Sequence, residues 1–272
     1  MSDPFIHLHH PTLEEEEREA IDRLSRVHGP GELRAALLAC LLTPGSQRER
    51  RAWREETRGL STAPALRADV KKLGPASRLP WFERLVDRLA ASPLGDRQTL
   101  VEATRRVMAA DGLVRPIDRL HWLVLRQRLG ETAPPSPSPH GQTDMTDLSL
   151  HSLREIARLT AFLSRLVPQD GLAQAGAAWY AEVMLPWLPA PGLPECAPPD
   201  ADGLVNALAE VQSLPLMLRP VLVRAWLDIA LAHSPGHRLL PAAADALRMA
   251  AQLLDCPMPP ELARHYVQAT GT

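Results

Sequence analysis

The 272-residue chain is predicted to be all-α, and three observations carry that prediction. Ala and Leu dominate while aromatics make up only 4% of residues, a composition that suits closely packed helices better than sheets. Apolar residues recur at three- and four-residue spacing, the period of a helix face. Pro- and Gly-containing breaks then cut those runs into helix-length pieces. The expected architecture is two helical units joined by short helices and a Pro-rich linker. Residues 1–30 form an N-terminal segment with one helix, and 31–130 a first unit with its core at about 78–130. Residues 131–147 are the linker, and 148–272 form a second unit with its core at about 203–260.

The elements follow in order. Thr12 and Glu15 make a capping-box pattern ahead of a helix over 13–27. Glu14 to Glu17 sit where a helix start favours negative charge, as a solvated first turn. His28-Gly29-Pro30-Gly31 ends that helix and opens another with Leu33, Leu37, Cys40 and Leu41 on one face, Cys40 serving as a small core hydrophobe. Beyond Pro44-Gly45 an Arg- and Glu-rich helix runs from about Gln47 to Arg58, with Trp53 as its anchor. The next faces are Leu85, Val86 and Leu89, then Leu100, Ala103, Val107 and Met108. Ala109-Ala110-Asp111-Gly112 turns tightly into a helix bearing Val114, Ile117, Leu120 and Val124.

The stretch 131–147 is rich in Pro, Ser and Thr with no apolar anchor, and reads as an exposed, disordered linker. Ser152 and Glu155 form a second capping box for a helix bearing Leu153, Ile156, Leu159, Leu163 and Leu166. A helix over 172–185 buries Trp179 and Val183, the prolines after it forbid helix, and Asp202 caps a helix over 203–212. Residues 214–260 read as two apolar helices around Ser234-Pro235-Gly236. Leu222, Ala225, Trp226 and Ile229 lie in the first, and Ala243, Leu247, Ala250 and Leu254 in the second. Leu100, Val101 and Ala103 find counterparts 122 residues later in Leu222, Val223 and Ala225, which marks an internal repeat.

Charge narrows the function classes. Residues 1–130 hold 22 basic against 18 acidic residues and the remainder 8 against 14. That imbalance is too small and too interspersed for a nucleic-acid surface, so no nucleic-acid partner is expected. Nearly all basic residues are Arg, Lys71 and Lys72 being the only lysines. Cys40, Cys196 and Cys256 are widely spaced and outside any CxxC pattern, which implies a reducing compartment without a disulfide framework. No apolar run approaches the ~18 residues of a membrane span and the first residues lack a signal-peptide pattern. A soluble, cytoplasmic protein without membrane insertion is expected.

Residues 247–262, LRMAAQLLDCPMPPEL, resemble the extreme C-terminal tail of proteobacterial membrane zinc metallopeptidases of the CAAX-prenyl-protease-like class. Those tails are similar to helical modules of the tellurite-resistance TerB type. The resemblance extends to residues 31–89, where Arg78-Leu79-Pro80 is similar to an Arg-Leu-Pro turn, and to Cys196 after Leu193-Pro194-Glu195. Ala110-Asp111-Gly112 followed by Asp118 resembles the TerB-like signature, in which Gly permits the turn and carboxylates hold its ends. It covers nearly the whole chain from about Gly31, but as a tail without its enzyme. A zinc peptidase of this class needs HExxH on a helix, and none of the ten histidines, His7, His9 and His10 included, stands in that frame. The resemblance thus implies a non-catalytic helical module acting with a membrane-associated partner.

Candidate sites are few. Asp111 and Asp118 offer two carboxylates for a weak divalent cation, set against plain capping of the turn by Asp111 and a solvated Asp118, because hard cations want six or more oxygens. His233 and His237 with Cys256 lack a fourth ligand for a soft metal. No nucleophile elbow and no Gly-rich phosphate loop occurs, and no cofactor is expected. For a protein partner the candidates are Trp53 with its Arg-rich helix, and Leu216 and Met217 ahead of Arg219-Pro220, with core packing as the alternative for that cluster. The sequence therefore points to a non-enzymatic interaction or regulatory module. A divalent-metal-responsive module stands second and a cryptic hydrolase third.

Overall fold

A computed structural model describes residues 13–130, 144–167, 173–189 and 191–267. Among them the chain forms thirteen α-helices and no strand, as the composition and periodicity require. Thr12, the three N-terminal histidines and 131–143 of the linker lie outside the described residues. The chain divides into two compact units, Met1–Val114 with Pro260–Thr272, and Arg115–Pro259. The boundary expected from the sequence lay at 130 instead, with the second unit running to the last residue.

The first unit contains α1 (Glu15–Ser25), α2 (Pro30–Cys40), α3 (Gln47–Glu56), α4 (Ala63–Lys72), α5 (Pro75–Ala90) and α6 (Leu94–Met108). The one-faced pattern expected for α2 is too narrow: Leu33, Ala35, Ala36, Leu37, Leu38, Ala39 and Cys40 are all buried. A helix apolar all round belongs inside, and α3, α4, α5 and α6 all pack on it. Its last carbonyls are closed by Arg78 of α5, whose guanidinium donates to Cys40 O (Nε 3.0 Å, Nη2 2.9 Å) and to Leu42 O (2.9 Å). The acidic first turn of α1 is only partly solvated, since Glu17 accepts the N–H of Gly74 at 2.8 Å just ahead of α5.

Arg78-Leu79-Pro80 is not a turn but lies inside α5. Pro80 has no N–H to give the carbonyl of Ala76 four residues back. The N–H of Val267 supplies that bond instead, at 3.2 Å. Together with buried Leu262 and Tyr266 it ties the residues after 260 to the first unit, which explains why that unit regains them.

The second unit contains α7 (Pro116–Leu129), α8 (Leu150–Leu163), α9 (Ala173–Met184), α10 (Ala201–Ser213), α11 (Leu218–Ala232) and α12 (Pro241–Leu253), while α13 (Pro260–Ala263) belongs to the first. α8 packs on α9 and α10, α11 on α9 and α12, and α12 on α7. Trp179 and Val183 are buried as their spacing predicted. The caps shift from their predicted positions. Ser149, not Ser152, caps α8 by accepting the N–H of Ser152 at 3.0 Å, and Asp200, not Asp202, caps α10 by accepting that of Gly203 at 2.8 Å. Glu155 is buried and pairs with Arg158.

The burial patterns of α6 and α11 align one residue away from the expected register. Leu100, Ala103, Thr104 and Val107 are buried in α6, and their counterparts at an offset of 123 residues, Val223, Trp226, Leu227 and Ala230, are buried in α11. Ala225, paired with Ala103 by the sequence alone, is only half-buried.

Arg219 organises the second unit. Only 3% exposed, it donates to Leu214 O (Nε, 3.0 Å), to Leu254 O (Nη1, 3.3 Å) and to Gln212 O through Nη2, closing the ends of α10 and α12 with one guanidinium. Gln212 adds its own amide N–H to Leu253 O at 2.7 Å. Arg219→Met keeps the stem and removes the donors. With each stranded carbonyl costing about 1–3 kcal/mol, urea unfolding should show a loss of about 3 kcal/mol, and a loss below about 1 kcal/mol would refute the capping role. Gly176 is equally constrained, because a Cβ there would lie 2.6 Å from Ser164 O, at the end of α8. Gly176→Ala should therefore lower Tm by pushing α9 off α8, at a cost of about 1–3 kcal/mol. An unchanged melting curve would show that the helices part freely.

Candidate functional site

The site is built on α3. Ser46 caps it by accepting the N–H of Glu49 at 3.3 Å, and the buried carboxylate of Glu49 reaches back to the Thr43 hydroxyl at 2.9 Å. One turn on, Trp53 is buried and its indole N–H donates to Ala35 O of α2 at 3.0 Å. Glu49 and Trp53 thus fix the inward face of the helix, and its arginines are left to face outward.

At the C-terminal turn, Glu56 holds α3 to two further helices. It accepts from Arg106 of α6 (Nε to Oε1, 2.6 Å) and from Arg34 of α2 (Nη2 to Oε2, 2.8 Å). The Arg106 hydrogen bond, and after it the charges of both arginines, hold the Glu56 carboxyl below its ordinary 4.5 against the opposing effect of burial.

The outward face forms one wall of a cleft of about 590 Å³ lined by Gln47, Arg48, Arg50, Arg51 and Arg54, with Arg67 of α4 opposite. Arg67 lies over the Trp53 ring, 5.8 Å from its centroid. Arg50 donates to Ser46 O at 3.1 Å, Arg54 to Arg50 O at 3.4 Å and Arg48 to Asp111 O at 3.5 Å. These contacts orient the guanidiniums without neutralising them. None of the five is ion-paired with a carboxylate among the described residues, whereas Arg18, Arg23, Arg26, Arg34, Arg58 and Arg106 all are. Like charges three and four residues apart oppose helix formation by about 0.2–0.5 kcal/mol per pair. Helix stability therefore gives no reason for this arrangement.

Trp53 is not a docking residue: at 2% exposure it is core, and only the Arg-rich helix it anchors faces solvent. Leu216 and Met217 are exposed at 59% and 79%, next to Val221, while neighbouring Leu214 and Leu218 are buried. Asp111 accepts the N–H of Leu113 at 3.0 Å and Asp118 that of Arg115 at 2.8 Å, so both carboxylates serve their own turns. Among the described residues no group of three or more His, Cys, Asp or Glu could hold a metal ion. His233 pairs with Glu182 at 2.9 Å. Burial pushes the thiols of Cys40 up to about 12 and Cys256 up to about 11, and also raises that of Cys196, so all three are protonated near neutral pH. No described helix is long and apolar enough to cross a membrane.

The charge run on α3 is local in the sequence, whereas Arg67 reaches the cleft only through the packing of α4. No family model, curated protein or solved structure matches the chain.

Because the folded Glu56 titrates below its unfolded value, its stabilisation is present above the ordinary carboxylate range and is lost as pH falls through the folded value. Glu56→Gln should lower Tm near neutral pH and flatten the fall of Tm below about 4.5. Parallel acid limbs in the two proteins would remove Glu56 as the clamp on α3.

Proposed function

We propose that this chain is a non-enzymatic interaction module that docks an anionic partner in the arginine-lined cleft between α3 and α4. The observation that carries the reading is the convergence of Arg48, Arg50, Arg51, Arg54 and Arg67 on one cleft without ion-paired carboxylates among the described residues. Guanidiniums bind carboxylates and phosphates through paired N–H donors and stay charged at any physiological pH. The lining offers no thiol, imidazole or carboxylate, so it supports binding rather than acid–base or nucleophilic chemistry. Resemblance to the non-catalytic tail of a membrane peptidase supports a binding rather than an enzymatic role. Leu216 and Met217 supply a second, apolar contact surface, a reading favoured by their exposure.

A simple measurement separates a local cationic cleft from overall charge. Above its pI of about 6.6 the protein is net negative, so retention on a sulfonate matrix must come from a local patch. Wild type should be retained and should elute earlier after Arg51→Ser with Arg54→Ser. Identical elution of the two proteins would overturn the cleft as the docking surface.

A further inference from the structure

We infer that the cleft is a receptor for a condensed phosphate chain, the chemistry shared by a nucleoside triphosphate and free polyphosphate. This inference rests on the docking reading above and specifies its ligand. The density of donors argues for it. Four of the five arginines lie between Gln47 and Arg54, a span of about 10 Å at 1.5 Å per residue, and Arg67 of α4 lines the same cleft. An extended acidic peptide presents same-face carboxylates only every ~6.6 Å, two residues at ~3.3 Å. Only about two carboxylates would fit this length. Phosphates joined through shared oxygens put more charge and more acceptor oxygens into the same distance, enough to engage several guanidinium forks at once.

Two further features fit a phosphate chain. Arg48, Arg50 and Arg54 are already held by backbone carbonyls, and Arg67 by the Trp53 ring, which reduces the ordering cost of gathering them around a ligand. The remaining lining residue, Gln47, adds amide N–H donors suited to phosphate oxygens. The aromatic ring at this place is Trp53, buried beneath Arg67 and closed to stacking by a nucleobase. Recognition therefore falls on the phosphates.

The test is calorimetric titration of the full chain with sodium tripolyphosphate, ATP and a poly-glutamate peptide at one ionic strength. Tripolyphosphate and ATP should bind and compete with each other. Equal affinities would make the two sources interchangeable and a preference for tripolyphosphate would assign the cleft to free polyphosphate, either result supporting the inference; a preference for ATP would show recognition of the nucleoside and overturn recognition through the phosphates alone. Arg51→Ser with Arg54→Ser should weaken binding about tenfold or more, given the strength of hydrogen bonds to charged groups. The corresponding Lys pair should fall between, because Lys keeps the charge but loses the fork. Arg58→Ser, outside the cleft and paired with Glu55, should change nothing. Circular dichroism of each variant checks that the helices persist. Tripolyphosphate binding that ignores the Arg51 and Arg54 substitutions overturns the assignment. Binding of the peptide without tripolyphosphate overturns the phosphate ligand and leaves docking standing, while binding by neither overturns both.

Discussion

Every helix ends in carbonyls that its own backbone cannot satisfy, and at α2, α10 and α12 arginine answers that constraint. Arg78 closes α2, the buried helix on which α3 to α6 pack. Arg219 does the same for α10 and α12 and is itself almost fully buried. A guanidinium suits this place because it spreads five donors over a plane and meets the negative end of the helix dipole. Without those contacts the helix ends would need water, and the tight packing around α2 and α12 would open.

Three sets of arginines differ in what they touch. Some cap carbonyls, as Arg78 and Arg219 do. Others pair with carboxylates at surface or half-buried positions, as in Arg23 with Asp69 or Arg34 with Glu56. The third group lines the cleft and has no carboxylate partner among the described residues. Their convergence on one cleft, rather than the number of arginines, singles out one face of α3. Glu49 and Trp53 hold the opposite face, and Glu56 clamps the end, so the cationic wall is rigidly supported from below.

Much of the fold was legible because helix periodicity is local. The spacing of Leu222 and Trp226, or of Trp179 and Val183, identified buried faces correctly. Caps were less legible, since Ser149 and Ser152, or Asp200 and Asp202, are chemically equivalent in the sequence and the helix start alone chooses between them. Trp53 misled for a related reason: a Trp amid charged residues suits either an exposed anchor or a core plug, and the carbonyl of Ala35 decided for the core. Pro80 read as a break, yet a donor from Val267 let α5 continue through it.

Local sequence sets the helical class, most helix positions and the concentration of arginine on α3, because each depends on residues a few positions apart. Tertiary packing sets which arginines cap, which pair and which stay available, how the units divide, and that Arg67 joins the α3 row. Those outcomes depend on contacts between residues far apart in the chain, such as Arg78 with Cys40 or Val267 with Ala76, and no local pattern encodes them.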